Sequence, residues 1–164
     1  MMIKKILIEG PDCSGKSTLV NRLKNLLKWD AKSLHHLPGE QYPRYLKEYA
    51  LNDFTIIDRG HISEHVYSCL WRNGGPFSNL EKEILDNVIY KSFLTIFCCP
   101  ELEIMEKRYS ERSYKQQIKL SELESSRKLF IENFKNENFS HILYRSESYV
   151  ELEKLLEIIR EKVK

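Results

Sequence analysis

Two hydrophobic rhythms alternate along the chain. Short apolar runs suited to strands buried on both faces occur at Ile6-Leu7-Ile8, Phe54-Thr55-Ile56-Ile57 and Phe93-Leu94-Thr95-Ile96-Phe97-Cys98-Cys99. Weaker runs at Ser33 to Leu37 and at Ile142-Leu143-Tyr144 predict a second and a last strand. Between them, apolar residues recur at three- and four-residue spacing. Leu19, Val20, Leu23, Leu26 and Leu27 share one helix face, as do Leu80, Ile84, Leu85, Val88 and Ile89. Val66, Leu70 and Trp71 mark a helix that Ser63 can cap. Leu123, Leu129, Phe130 and Phe134 mark another, over Leu120 to Phe134. Leu152, Leu155, Leu156, Ile159 and Val163 define a C-terminal helix. Pro43 can open a short helix through Tyr49, and a further helix is expected from about Glu101 to Arg108. Pro38-Gly39, Asn73-Gly74-Gly75-Pro76 and Pro100 punctuate these elements. The polar stretch Tyr109 to Lys119 carries almost no core residues and reads as a mobile loop or frayed helix end.

Strands that alternate with helices predict an α/β fold with a parallel sheet wrapped by helices. The 164 residues fit one domain, 1–164, with no internal repeat and no linker. A net charge of +2 gives no overall basic surface for non-specific nucleic-acid binding, although a local patch stays open. No stretch approaches the ~18 uninterrupted apolar residues of a membrane span. The apolar start is also too short before Glu9 for a signal segment, so a cytoplasmic protein without a membrane partner is expected. Cys13, Cys69, Cys98 and Cys99 show no C-x-x-C spacing and read as reduced thiols, the adjacent pair facing opposite sides of a strand. His61 and His65 lie four apart without a third ligand at suitable spacing, so no zinc site is expected.

The densest chemical signal is Gly10-Pro11-Asp12-Cys13-Ser14-Gly15-Lys16-Ser17, which fits G-x-x-x-x-G-K-[ST] between a predicted strand and a predicted helix. The chemistry needs these residue types. Glycines turn the backbone so that its amides meet phosphate oxygens, and the helix N-terminus adds positive potential. Lys16 suits the β- and γ-phosphates, the Ser17 hydroxyl suits magnesium, and Thr18 is placed for the α-phosphate. ATP and Mg2+ are therefore the expected cofactors. A GTPase switch and an Asn-Lys-x-Asp base reader are both missing, and the chain is too short for a helicase or transporter ATPase. The small size favours a nucleoside or nucleotide kinase.

The segment Ile8-Glu9-Gly10-Pro11-Asp12-Cys13-Ser14-Gly15-Lys16-Ser17-Thr18-Leu19 resembles the first motif of thymidylate kinases. Ile57-Asp58-Arg59-Gly60-His61-Ile62-Ser63-Glu64-His65-Val66-Tyr67 resembles their second motif, and His36-Leu37-Pro38-Gly39 is a fainter echo of a third segment. The resemblance covers the first half of the chain. It implies a three-layer P-loop fold with a five-stranded parallel sheet in the order 2-3-1-4-5. It also implies roles: Asp12 at the acceptor sugar, Arg59 on the acceptor phosphate, Asp58 near magnesium and the attacking oxygen, and Pro38, Ser63 and Tyr67 along the acceptor pocket. A guanidinium suits the Arg59 role because it meets two oxygens at once. Such families are often dimers, so a homodimer is an expectation.

Kinases of this kind need an arginine beside the transferring phosphoryl group. Cys13 cannot supply it from the loop. A lid at about 108–120 is then expected to do so, with Arg108 and Arg112 four apart on one helix face and Lys115 as a weaker candidate. The stretch between Pro38-Gly39 and Asp58-Arg59 is shorter than in the resembling family, leaving Tyr42, Arg44, Tyr45 and Tyr49 as its aromatic and basic residues. Tyr42 and Tyr45 are candidates to stack on a base. The expected reaction moves the γ-phosphate of ATP to a deoxynucleoside monophosphate or nucleoside. A base or terminus within DNA or RNA is the alternative acceptor, since some phage kinases that modify DNA bases resemble thymidylate kinases in a reduced form. A non-catalytic ATP-binding protein is the alternative of another class.

Overall fold

Three runs of alternating inward and outward apolar side chains build the centre of the molecule. The structure, a computed structural model, describes residues 3–50, 53–113, 118–136 and 141–163. The sheet comprises β1 (Lys5–Glu9), β2 (Asp30–Ser33), β3 (Thr55–Asp58), β4 (Leu94–Cys98) and β5 (His141–Tyr144). All neighbours pair in parallel, in the order β2-β3-β1-β4-β5. This is the fold class and strand order expected.

Because successive strand residues face opposite sides, each central strand feeds two cores. Ile6, Ile8, Ile56 and Ile96 pack beneath α1 (Lys16–Leu27) and α7 (Tyr149–Lys162), against Leu19, Leu23, Leu155 and Ile159. Leu7, Ile57 and Phe97 face the other layer, formed by α2 (Gln41–Ala50), α3 (His61–Trp71), α4 (Asn79–Ser92) and α6 (Leu123–Asn136), with α5 (Leu102–Glu111) alongside. Cys98 and Cys99 divide between the two cores in the same way. A short 3-10 turn, Leu120–Glu122, leads into α6.

Several boundaries differ from the sequence reading. The second strand lies at Asp30–Ser33, ahead of the expected Ser33 to Leu37. It is an edge strand with mostly exposed side chains, so no apolar run announces it. Helix α2 starts two residues before Pro43, which puts the proline in the first turn, where its missing N–H is harmless. Helix α3 starts at His61 with Gly60 at its cap position, so Ser63 lies inside the first turn and does not cap it. The segment after Arg108 is not free of core residues. Helix α5 runs on to Glu111, and Ile118 is buried beside Leu123. Among the described residues, no helix is long and apolar enough to cross a membrane.

The register aligns Ile8 with Asp58, Ser33 with Asp58, and Glu9 with Phe97. Strand ends carrying Glu9, Asp58 and Cys98 therefore share one edge of the sheet. In open α/β sheets, ligands bind outside the carboxyl ends of the strands.

Candidate active site

The loop from Gly10 to Gly15 joins β1 to α1 at that edge. Its course depends on backbone geometry that few residues tolerate. Gly10 has φ of 142°, and a Cβ there would lie 2.1 Å from the Cys98 carbonyl oxygen of the neighbouring strand. Cys13 adopts φ of 63° although it carries a side chain. Lys16 is buried and turned back on the loop, where its ammonium donates to the carbonyls of Gly10 at 2.7 Å and Pro11 at 2.6 Å. Burial pulls its pKa down, and the charge of Arg59 adds to that; Asp12 and Asp58 oppose. Ser17 and Thr18 begin α1 with exposed side chains.

Asp12 and Arg59 form the junction of the site. Arg59 Nη2 donates to Asp12 Oδ1 at 2.5 Å. Burial pushes the Asp12 carboxyl up, but Arg59 and Lys16 together outweigh it and hold it below the usual range. Arg59 follows β3 in a left-handed conformation, φ 68°, and its N–H donates to the Ile8 carbonyl at 3.0 Å. This strained residue is one that sequence singled out for acceptor phosphate. Its guanidinium lies 5.6 Å from the centre of the Tyr67 ring, and the Tyr67 hydroxyl accepts from the Asp12 N–H at 3.0 Å. Tyr67 is thus buried and also braces the loop.

Glu9 holds this arrangement from below. It is fully buried and accepts from the N–H groups of Gly60 at 2.8 Å and Ser63 at 3.3 Å, and from the Ser63 hydroxyl. A carboxylate from β1 therefore caps α3, satisfying helix N–H groups and meeting the positive end of the helix. Gly60 makes the approach possible, since a Cβ there would lie 2.5 Å from the Tyr49 hydroxyl and 2.8 Å from Glu9 Oε1. Burial raises the Glu9 pKa from 4.5 to about 7, against the opposing hydrogen bonds of Ser63 and Gly60.

Two openings adjoin these residues. A cavity of about 640 Å³ is lined by Arg59, Ser63, Glu64, Tyr67, Trp71 and His36, among others. A groove of about 390 Å³ is lined by Cys13, Gly15, Thr18, Arg108, Arg112 and Ser146. Arg108 is anchored: Nη1 donates to the Ser146 hydroxyl at 2.9 Å and the Cys13 carbonyl at 3.3 Å, and Nη2 to the Ser146 carbonyl at 2.5 Å. Ser146 in turn donates to the Ser14 carbonyl at 2.8 Å. Arg112 lies just past the end of α5, with extended backbone, so it does not continue the helix face of Arg108; the two still border the same groove. Lys115 lies outside the described residues.

The acceptor candidates divide. Ser63 and Tyr67 line the larger cavity with Arg59, whereas Pro38, Tyr42 and Tyr45 do not. Tyr45 is fully buried, edge-on to Phe77 and His61 and tilted against Tyr49, so its ring offers no face to a base. Tyr42 packs on the same core, and Pro38 is exposed on the surface. An aromatic residue on an amphipathic helix buries its ring when the apolar stripe runs through it, as it does at positions 45 and 49. The aromatic wall is instead Trp71, stacked on Tyr67 with centroids 4.8 Å apart. Glu64, Trp71, Arg72 and Ser146 were not picked out from sequence as site residues. The spacing of 64, 67, 68 and 71 puts these positions on one face of α3, with Arg72 just past its end, but spacing does not tell a face that meets a cavity from one that meets core.

Asp58 sits at the end of β3 with Oδ2 accepting from the Ser33 hydroxyl at 3.3 Å. Its Oδ1 is buried without a hydrogen-bond partner among the described residues. An orphaned carboxylate oxygen beside the Gly10–Gly15 loop fits a divalent cation or a hydrogen-bond donor.

No protein-family model matches the sequence, and a search of curated proteins at the sequence level finds no match. Solved structures do match. The fold is that of the P-loop kinases. The Bacillus subtilis YorR protein, solved in complex with phosphorylated GDP, superposes with a TM-score of 0.81 at 18% identity over 95% of each chain. A deoxyadenosine kinase from M. mycoides, solved with dCMP and dCDP, gives a TM-score of 0.66 at 14% identity, covering 96% of this chain and 98% of that one. Shikimate kinase from Bacteroides thetaiotaomicron gives 0.61 at 16% identity over 98% of each chain. At these identities the shared property is the architecture.

Proposed function

We propose that the chain is an ATP- and magnesium-dependent phosphotransferase that moves a γ-phosphate to a nucleotide-like acceptor, first of all a deoxynucleoside monophosphate. One observation carries this reading. Cys13 and Gly15 of the glycine-rich loop line one opening, and the Asp12–Arg59 pair links the same loop to the larger one. A donor triphosphate entering from the Thr18 side and an acceptor entering from the Arg59 side would meet at the loop. The stacked Tyr67–Trp71 wall favours an acceptor bearing a base over a small hydroxy acid. Nucleotides bound to YorR and to deoxyadenosine kinase support the same class.

The loop amides and Lys16 hold the β- and γ-phosphates in this reading, Lys16 exchanging the Gly10 and Pro11 carbonyls for phosphate oxygens. Ser17 and Asp58 would hold magnesium, which neutralises developing charge on those phosphates when bound. Arg59 anchors the acceptor phosphate, and Asp12 orients the acceptor sugar. Asp58 also orients the attacking oxygen. Arg108 and Arg112 border the groove where charge develops. The acceptor oxygen forms its bond to the γ-phosphorus as the bond to the β-phosphate oxygen breaks, and ADP leaves. Catalysis is positioning plus electrostatics.

A longer acceptor is the second reading. The segment at residues 35–40 bordering the cavity is exposed throughout, which leaves room for a nucleotide inside DNA or RNA. Labelled ATP offered with nucleosides, deoxynucleoside monophosphates and an oligonucleotide decides between them on thin-layer plates. Label is expected on a monophosphate. Label on the oligonucleotide alone selects the second reading, and no acceptor-dependent ADP with any substrate selects a non-catalytic ATP-binding protein. Lys16→Ala is expected to reduce transfer by about a hundred- to a thousandfold while the fold persists by circular dichroism. Undiminished transfer would place the chemistry elsewhere.

A further inference from the structure

Helix α3 carries a polar cluster on the cavity wall that phosphoryl transfer itself does not use. Glu64 is 4% exposed, yet it lines the 640 Å³ cavity. Among the described residues, the hydrogen bonds donated to its carboxylate converge on one oxygen. Oε1 accepts from Arg72 Nη2 at 2.6 Å, His36 Nδ1 at 2.9 Å and the Ser68 hydroxyl at 3.2 Å. Oε2 accepts from none of the described residues. Arg72 is arranged in a complementary way. Its Nε and Nη2 are committed to Ser68 and Glu64, and its Nη1 donates to none of the described residues. Trp71, between them in sequence, stacks on Tyr67 and is 36% exposed. The wall therefore combines a flat aromatic surface, one unused anionic acceptor and one unused cationic donor.

Glu64 Oε2 is not one of the buried polar atoms that lack a partner, so it opens on the cavity, where the donors of a ligand can take the place of water. Nucleobases fit a wall of this kind because they offer a stacking face and a polar edge. We infer that Glu64 and Arg72 read the base of the acceptor and that the base they select is guanine. The inference rests on the reading of this cavity as the acceptor site. Guanine is the base whose polar edge sets two adjacent N–H donors, N1 and the exocyclic N2, beside a carbonyl, O6. Both donors can reach Oε2, and O6 can accept from Arg72 Nη1. Adenine, cytosine and thymine each offer one ring or amino donor on such an edge, and so make one contact fewer.

The three donors around Oε1 also determine what a substitution does. In Glu64→Gln, those donors keep the amide oxygen in the place of Oε1. The amide nitrogen then takes the place of Oε2, and an acceptor becomes a donor facing the N–H groups of guanine. Glu64 is thereby a specificity residue, and it need not touch the reacting atoms.

Calorimetry and turnover with dGMP and dIMP, which differ only in the N2 amino group, test the proposal. The intact chain is expected to favour dGMP over dIMP by about tenfold or more, the usual strength of a hydrogen bond to a charged group. It is also expected to favour dGMP over dAMP, dCMP and dTMP. Glu64→Gln should remove the dGMP–dIMP difference while leaving magnesium-ATP affinity unchanged, since Glu64 does not line the Thr18 groove. A role for Glu64 in folding alone would not separate two ligands of the same shape. Equal affinity for dGMP and dIMP in the intact chain overturns the inference, as does a preference that survives in Glu64→Gln. Glu64-dependent dGMP binding without any phosphoryl transfer would support the base reader while refuting the kinase reading. Transfer to monophosphates without guanine preference would do the reverse.

Discussion

Glu9 concentrates several physical demands in one side chain. It ends β1, caps α3 and lies beside the lysine of the phosphate loop. Because burial raises its pKa from 4.5 to about 7, the folded chain holds this proton more tightly than the unfolded chain does. The stabilisation from this group is complete below pH 4.5 and is lost as pH rises through 7. The shift corresponds to about 3 kcal/mol between those limits. Glu9→Gln cannot titrate, so its urea-unfolding stability should lack this component of the decline between pH 4.5 and 7. A variant with the same pH slope as the parent would show that Glu9 is not the titrating group. Lys16 presents a second demand. Its carbonyl partners, Gly10 and Pro11, belong to the loop proposed to bind phosphate, so in that proposal phosphate oxygens take the place of these carbonyls.

At the scale of elements, α2 and α3 show how one pattern serves packing in one helix and chemistry in the other. Tyr45 and Tyr49 lie four apart on α2 and are both buried. The Tyr49 hydroxyl accepts from the His61 N–H at 2.9 Å and meets the His61 ring, which reaches Asp86 at 2.7 Å. The Tyr45 hydroxyl has no partner among the described residues. Tyr45→Phe keeps the ring and removes the unsatisfied group, so it should stabilise the chain by about 1 kcal/mol in urea unfolding. A loss of stability would show that the hydroxyl is satisfied. Tyr67 and Trp71 have the same spacing on α3, but there the stack ends at a cavity. Spacing alone gives both pairs the same appearance. What lies across from each face separates them: the packed aromatic rings of Phe77 and His61 for Tyr45, and open volume for Trp71.

The whole molecule is a sheet whose carboxyl edge gathers residues far apart in the chain, with Asp12 meeting Arg59 and Cys13 meeting Arg108. A ligand that joins these parts should stabilise the fold as a unit. Magnesium-ATP at 100 times its Kd is expected to add about 2.7 kcal/mol, read as a rise in Tm that shrinks when EDTA removes the metal. No rise with any purine triphosphate would count against the phosphate loop as a binding site. The sequence by itself determined the alternation of strands and helices, the apolar strands and the glycine-bearing loop between β1 and α1, because each depends on contacts or backbone limits within a few residues. It could not place the exposed strand at Asp30–Ser33, whose pairing with β3 leaves no hydrophobic trace. Nor could it assign Tyr45 to the core, Glu9 to the cap of α3, or Trp71 and Glu64 to a cavity wall. Those assignments depend on which surfaces meet across the sheet, and only the packed chain decides that.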